Sequence, residues 1–251
     1  MADTPAGFVR VTAGRCVAVV LAPHEADARL MLAEGSLYDA AARDLAARSL
    51  QGRGVAYAIA LPASGTRAVV RHNRHGGLLA PLTRDLFLPP TRAPRELAIA
   101  QRLSTLGVST PDVLMYGTSP APFPFFRRAD VVTREIDGGR DLSTFLSPQA
   151  SDSDRAAAWE ATRQLVEQMS AAGVRHHDLN VKNVLLARED GVLKAFLLDV
   201  DRVTFDEADS AEVRAGNVDR LLRSARKWRD ERGGVFDERE LATSSNAAPS
   251  A

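Results

Sequence analysis

The chain has 251 residues, of which 45% are hydrophobic and 25% are charged, so it can bury one large core or two smaller ones. Its 32 lysines and arginines balance 32 aspartates and glutamates. The chain therefore has no net positive charge that would attract nucleic acid, and any anion binding must be local. The single Cys16 excludes a disulfide framework, and we expect neither a secretory leader nor a membrane span, because no apolar run is long enough.

The first part of the chain is predicted to be rich in β-strands, with helical insertions. Apolar residues at helical spacing indicate its helices, and short apolar runs between turn residues indicate its strands. Pro94 suits the first turn of a helix. The predicted elements are, in chain order, a helix over 37–50 that stops at Gly52, strands over 55–61 and 67–72, a helix over 94–107 and a strand over 129–136.

The second part begins after Asp137-Gly138-Gly139, a glycine break at which we place the domain boundary. We expect a first domain of residues 1–136, a second domain of residues 137–242 and a disordered tail of residues 243–251. The predicted elements of the second domain are a helix over 151–173, strands over 184–187 and 192–200, and a helix over about 210–230.

The two strands of the second domain are joined by Asp190-Gly191, which predicts a two-residue hairpin with a type I′ turn. In that register Asn183 lies opposite Leu198. Because opposed residues of a hairpin are near neighbours, Asp199 should lie beside Asn183 at the open end of the hairpin. The hairpin therefore predicts that two oxygen-bearing side chains converge from distant positions in the chain.

Oxygen ligands of this kind are what Mg²⁺ prefers, with phosphate oxygens and water completing its octahedron. Asp178 precedes Asn183 by five residues, on the loop that leads into the hairpin, where it could orient and deprotonate an attacking hydroxyl. The alternative is a helix-to-strand turn with ordinary polar caps. That alternative explains each residue singly, but it does not explain their combination.

This arrangement resembles the protein-kinase-like superfamily. His176-His177-Asp178-Leu179 stands where that superfamily has its His-Arg-Asp-Leu catalytic loop, Asn183 follows at the matching offset, and Asp199 takes the place of the metal-binding Asp of Asp-Phe-Gly. The resemblance implies an α+β, bilobal fold with a β-rich N-lobe and a mainly helical C-lobe. It also implies that ATP and Mg²⁺ are used, with Asp178 as the catalytic base and Asn183 and Asp199 as metal ligands.

The resemblance further implies a group of first-domain residues that bind the ATP phosphates. We call this group, Gly52, Gly54, Arg71 and Glu96, the phosphate grip. Arg71 ends a strand where a kinase places its phosphate-binding Lys, and the chain has no lysine before Lys182. Arg can replace Lys because its planar fork binds phosphate oxygens. Glu96 is expected to hold Arg71, Gly52 and Gly54 to admit phosphates to the backbone, and Lys182 to reach the γ-phosphate. Taken singly, each of the first-domain residues also fits an ordinary turn or a solvated surface charge.

The acceptor is expected to be a small molecule or a lipid-linked sugar, and not a protein. A protein kinase holds its peptide with an activation segment that closes with Ala-Pro-Glu, but no proline occurs between Pro148 and Pro249. Only 52 residues follow Asp199, which is enough for one or two helices and a tail. The C-lobe is therefore predicted to be small and to lack a full activation segment.

Within the compact kinases, the chain is similar to the 3-deoxy-D-manno-octulosonic acid (Kdo) kinase family of lipopolysaccharide core kinases. The similarity implies ATP-dependent phosphorylation of the 4-hydroxyl of Kdo on a lipid A precursor, at the cytoplasmic face of the inner membrane. The segments that carry it are Gly52-Arg53-Gly54, Arg71 to Leu78 (RHNRHGGL), Thr91 to Glu96 (TRAPRE), His177 to Asn180 with Asn183, Leu198 to Arg202 (LDVDR) and Asn217 to Ser224 (NVDRLLRS).

A lipid-linked acidic sugar would be the substrate, and nucleic acid is not expected as a partner. The helix around LLRSARKWR, with Trp228 among basic residues, would allow peripheral contact with an anionic membrane, or it is simply a solvated face. Two other functions stay open. One is a kinase of heptose or aminoglycosides with the same fold, and the other is an inactive nucleotide-binding module that recruits partners.

Overall fold

The computed structural model describes residues 4–51, 54–73, 86–89, 91–123 and 125–236. These residues divide into two compact units. The first comprises residues up to Gln101 together with Asp112–Glu135, and the second comprises Arg102–Pro111 together with residues from Ile136 onward. The predicted tail, residues 243–251, lies outside the described residues.

The first unit is built on a seven-stranded antiparallel sheet in the order β1-β2-β6-β7-β5-β4-β3. Helices α1 and α2 pack against it, and their apolar residues join those of the strands in one buried cluster. The elements are β1 Phe8–Ala13, β2 Cys16–Leu21, α1 Glu25–Ala33, α2 Leu37–Arg43, β3 Arg48–Gln51, β4 Val55–Ala60, β5 Arg67–His72, α3 Ala93–Thr105, β6 Val113–Pro120 and β7 Arg127–Arg134. The residues of α3 from Arg102 onward belong to the second unit.

The predicted helix over 37–50 is wrong in its second half. Ser36 and Asp39 form a capping box that begins α2, but the helix ends at Arg43 because Asp44 turns to an extended conformation. Residues 48–51 then form β3, which pairs with β4. Pairing with a neighbouring strand thus outweighs the helix propensity of this segment. The predictions of β4, β5, α3 and β7 are confirmed to within two residues.

The second unit contains two small sheets and its own helical core. Strands β11, β10 and β8 form one sheet, and β12 and β9 form the other. Helix α5 buries Trp159, Leu165 and Met169. The elements are β8 Arg140–Asp141, α4 Leu142–Phe145, α5 Asp152–Ala171, β9 Val174–His176, β10 Val184–Glu189, β11 Val192–Leu197, β12 Val203–Phe205 and α6 Ala211–Arg232.

The predicted helices of this unit are confirmed, and the predicted strand over 192–200 ends early, at Leu197. Ser151 caps α5 by accepting a hydrogen bond from the Asp154 N–H. Gly173 follows the helix with φ of +65°, and a Cβ there would clash with the Asp206 carbonyl oxygen. Only glycine therefore fits where α5 leads into β9. No helix among the described residues is long and apolar enough to cross a bilayer.

Candidate active site

The hairpin register predicted from Asp190-Gly191 is confirmed. Both turn residues have positive φ, 50° and 81°, and Val184 pairs with Leu197. One step further, the Leu198 N–H donates to the Asn183 carbonyl at 2.8 Å. The residue after Leu198 is Asp199, so the hairpin backbone brings Asn183 and Asp199 together at its open end.

Side-chain amides tie Asn183 to the loop that carries Asp178. Asn183 Nδ2 donates to the Asp178 carbonyl at 2.8 Å, and Asn180 Nδ2 donates to the same oxygen at 2.8 Å. Because Nδ2 of Asn183 is used in this way, its Oδ1 is the atom of that amide suited to a cation. Asp178, Asn183 and Asp199 therefore belong to one connected assembly within the second unit.

Asp199 itself has a left-handed backbone, with φ of 55° and ψ of 45°. Asp and Asn accept this conformation more readily than other non-glycine residues, but it still costs free energy. Here it ends β11 after Leu197 and turns the chain into the short 3₁₀ turn Val200–Arg202. Strain of this kind is frequent at functional sites, and here it falls on a predicted metal ligand.

His176 connects the two acidic segments, a role that the motif alone did not reveal. Its Nδ1 must accept a hydrogen bond, because the Asp178 N–H donates to it at 3.1 Å. The proton therefore sits on Nε2, which donates to the Leu198 carbonyl at 3.2 Å. The ring is fully buried, and this burial lowers the pKa of His176, although the nearby Asp199 and Asp178 oppose the shift. Neutral His176 thus joins the Asp178 loop to the segment before Asp199.

Lys182 lies on the same loop, and its charge is already engaged. Its Nζ is 3.0 Å from Asp141 Oδ2 and 4.7 Å from the ring centroid of Trp228. The side chain is half exposed. The predicted contact with a γ-phosphate therefore requires Lys182 to share or leave its bond to Asp141.

The predicted ion pair between Arg71 and Glu96 is present in the first unit. Arg71 Nη2 bonds Glu96 Oε1, and Nη1 donates to Asn73 Oδ1 at 3.2 Å. Glu96 is only 2% exposed and lies in the first turn of α3, where the helix dipole favours a carboxylate. The alternative of solvated surface charges is thus wrong for this pair. Gly54 lies in the bend before β4, and Gly52 lies outside the described residues.

The donor set of the second unit fits Mg²⁺ better than a transition metal. No group of three or more His, Cys, Asp and Glu that could hold a metal occurs in the described part of the chain. Asn183 and Asp199 offer one amide and one carboxylate. Two protein oxygens are the usual share for Mg²⁺ where substrate phosphates and water supply the remaining ligands. The residues present therefore fit the predicted metal.

Comparisons with known proteins give consistent matches. The model of the lipopolysaccharide kinase (Kdo/WaaP) family matches residues 40–239. A 3-deoxy-D-manno-octulosonic acid kinase of Stenotrophomonas maltophilia is 32% identical over 87% of this chain and 84% of its own length. The protein of the same name from Haemophilus influenzae is 28% identical over 79% of this chain and 83% of its own length. A solved structure, "WaaP in complex with acyl carrier protein", is 20% identical with a TM-score of 0.49, covering 79% of this chain and 78% of its own. The family match includes all the predicted site residues from Gly52 to Asp199.

Proposed function

Since this chain belongs to the lipopolysaccharide kinase (Kdo/WaaP) family, with an α+β, protein-kinase-like fold, we propose that it transfers the γ-phosphate of ATP to the 4-hydroxyl of Kdo on a lipid A precursor. The names of its relatives support the acceptor. The observation that carries the chemistry is the connected assembly of Asp178, Asn183 and Asp199, joined through the Asp178 carbonyl and the Leu198 N–H. It holds the three groups that phosphoryl transfer to a hydroxyl needs.

In this reaction the sugar hydroxyl attacks the γ-phosphorus while the bond from phosphorus to the bridging oxygen of ADP breaks. The proton of the hydroxyl passes to the carboxylate of Asp178, which orients the oxygen for an in-line approach. Asn183 and Asp199 would hold Mg²⁺, which neutralises charge on the phosphate oxygens when bound. Each of these residues is held by the backbone contacts described above, so little reorganisation is needed at the moment of transfer.

Arg71 would steady the nucleotide phosphates, with Glu96 and Asn73 fixing the plane of its guanidinium. Gly52 and Gly54 would let backbone N–H groups approach the same phosphates. Lys182 is the cationic side chain on the catalytic loop and contacts Asp141 and Trp228. Its ammonium group would move from these contacts to the γ-phosphate as negative charge develops there. ATP and Mg²⁺ are therefore proposed as the nucleotide and the metal.

The acceptor is anionic and lipid-linked, so we propose peripheral contact with the cytoplasmic face of the inner membrane. Kdo carries a carboxylate and lipid A carries phosphates, which arginine binds well. Helix α6 displays exposed basic residues, among them Arg223 and Lys227, which suit an anionic lipid surface. The substrate would thus be met at the bilayer surface by a protein that docks there reversibly.

The test is to incubate the protein with Mg²⁺, ATP and a lipid A precursor that bears Kdo, and to detect phosphate gain by mass spectrometry. Two-dimensional NMR of the product then gives the phosphorylated position. Transfer to the 4-hydroxyl supports the proposal. Preferred transfer to a heptose or an aminoglycoside would instead identify another sugar kinase, and nucleotide binding without transfer to any acceptor would identify an inactive module.

A further inference from the structure

One face of α6 lies along the catalytic loop and contacts it at four positions. Four side chains on this face are three, four and four positions apart, the spacing that aligns residues along one side of a helix. They contact His176, His177, Val181 and Lys182 in the order of the loop. The four, which we call the α6 stripe, are Asn217, Arg220, Ser224 and Trp228.

Asn217 uses both ends of its amide on the strand that enters the loop. Its Oδ1 accepts a hydrogen bond from the His176 N–H at 3.0 Å, and its Nδ2 donates to the Val174 carbonyl at 2.8 Å. The side chain is fully buried. A buried amide with both ends satisfied fixes the position of its partners, because any shift would leave a polar group unpaired.

Arg220 and Ser224 hold the loop on either side of Asp178. Arg220 Nη1 donates to the His177 carbonyl at 2.7 Å, and the Val181 N–H donates to Ser224 Oγ at 3.2 Å. Asp178 lies between these two anchors. Its backbone position is thus defined from the outside by α6 as well as from within by His176 and Asn183.

The contact of Ser224 is unlike the usual bond of a mid-helix serine. Such a hydroxyl commonly donates to the carbonyl one turn earlier, as Ser170 of α5 does to Val166 at 2.7 Å. Ser224 instead accepts from a residue 43 positions away in the chain. A helix that only covered a core would not need this polar contact with a loop.

We propose that Arg220 and Ser224 are positioning residues, which act on phosphoryl transfer by holding the backbone on both sides of Asp178. This inference rests on the proposed function, in which Asp178 takes the proton of the acceptor. Asp178 must stand within hydrogen-bond reach of that hydroxyl, and a displacement of about 1 Å can reduce the rate as much as 100-fold. Loss of the Arg220 contact or of the Ser224 contact should therefore lower kcat and leave nucleotide affinity unchanged.

The test compares two substitutions in the α6 stripe with two matched controls. Ser224→Ala and Arg220→Met should each lower kcat for transfer by about 10-fold or more, while the KM for ATP stays within about twofold. Ser170→Ala removes a buried hydroxyl from α5, and Arg29→Met removes an exposed guanidinium from α1 that bonds only Glu25 of its own helix among the described residues. Both controls should keep kcat near the wild-type value. Equal losses of kcat in the stripe variants and the controls would overturn the proposal.

Two further measurements separate positioning from a general loss of stability. Ser224→Thr keeps the hydroxyl and should restore kcat to within about threefold of wild type. In a double-mutant cycle, Ser224→Ala should cost little once Asp178→Asn is present, because the positioned carboxylate is then gone. Independent, additive losses in the cycle would contradict action through Asp178.

Hydrogen exchange gives a readout that needs no acceptor. In Ser224→Ala the Val181 amide should exchange at least about 10-fold faster than in wild type, with unchanged protection across α5. If wild type fails to phosphorylate Kdo but this change is seen, the proposed function fails while the anchoring of the loop stands. Unchanged exchange at Val181 would overturn the anchoring itself.

Discussion

Arg71 in the first unit and the catalytic loop in the second are held by different means. Arg71 lies on β5, paired with strands on both sides, so sheet register fixes its backbone and Glu96 fixes its charge. The loop from His177 to Asn183 is irregular, so side chains from elsewhere hold its backbone. In a sheet, strand pairing already satisfies the backbone polar groups of the residue that carries the charge, whereas the backbone of a loop needs side-chain hydrogen-bonding partners. Changes in the two regions should therefore have different consequences for binding and for turnover.

The largest effect is expected at Asp178. Replacing it with Asn removes the proton acceptor but keeps the shape, so the single-turnover rate of transfer should fall about 10²- to 10⁴-fold. The matched control is Asp190→Asn, because Asn-Gly also forms a type I′ turn and preserves the hairpin. Rapid quench with labelled ATP measures both variants. A rate for Asp178→Asn close to that of Asp190→Asn would refute the proposed role.

The next effect concerns the metal. Asp199→Asn keeps the left-handed backbone, which Asn tolerates, but removes a charged metal ligand. The rate of phosphate transfer should therefore fall about 10²- to 10³-fold. It should also need a higher Mg²⁺ concentration to reach saturation. Asp209 also has positive φ, 57°, and Asp209→Asn makes the same chemical change outside the site. Initial rates across a Mg²⁺ titration compare the two. An unchanged Mg²⁺ requirement in Asp199→Asn would exclude this residue as a ligand.

A smaller effect is expected from the phosphate grip. Arg71→Met and Glu96→Gln should lower kcat/KM for ATP by about 10- to 100-fold, the usual cost of losing a charge-assisted hydrogen bond. The kcat/KM of Arg71→Lys for ATP should lie between those of wild type and Arg71→Met, because lysine keeps the positive charge but lacks the planar guanidinium that binds two oxygens. Arg67, on the same strand and paired with Glu135 at 2.8 Å, supplies the control Arg67→Met. Steady-state kinetics that show Arg67→Met to be equally impaired would indicate a general effect on the sheet.

The smallest effect concerns pH and His176. Burial lowers the pKa of His176 in the folded protein, so its contribution to stability is present above the ordinary histidine pKa, about 6.5. As the pH falls from there toward the folded pKa, the unfolded chain takes up the proton first. The free energy of unfolding should then decline by at most about 1.4 kcal/mol per pH unit.

Urea unfolding between pH 7.5 and 5 measures this slope. His176→Gln should flatten it, compared with His177→Gln, which changes an exposed neighbour. If both variants keep the wild-type slope, His176 does not carry the pH dependence.

Local signals explain what the sequence predicted well. The turn Asp190-Gly191 sets the hairpin register by itself, so the neighbourhood of Asn183 and Asp199 could be predicted without a structure. The ion pair of Arg71 and Glu96 was predicted from the kinase-like pattern. The segment around Arg48 was wrongly predicted as helix because its strand state depends on a partner strand.

Long-range contacts explain what the sequence did not predict. Asn217 meets His176 across 41 residues, and Ser224 meets Val181 across 43. A single Asn or Ser within a helix carries no pattern that identifies its partner, because periodicity reports only which face is apolar. The buried, neutral state of His176 likewise depends on contacts with Leu198 that only the fold creates.

In the proposed mechanism, Arg71 binds the nucleotide phosphates and Asp178 activates the acceptor. The most direct test of these two roles is a calorimetric titration of Mg-ATP into wild type, Asp178→Asn and Arg71→Met. We predict that Asp178→Asn binds within about twofold of wild type, although it transfers phosphate at least about 100-fold more slowly. Arg71→Met should bind about 10-fold more weakly. The account would be contradicted if Asp178→Asn lost as much nucleotide affinity as Arg71→Met, because Asp178 would then bind ATP instead of activating the acceptor.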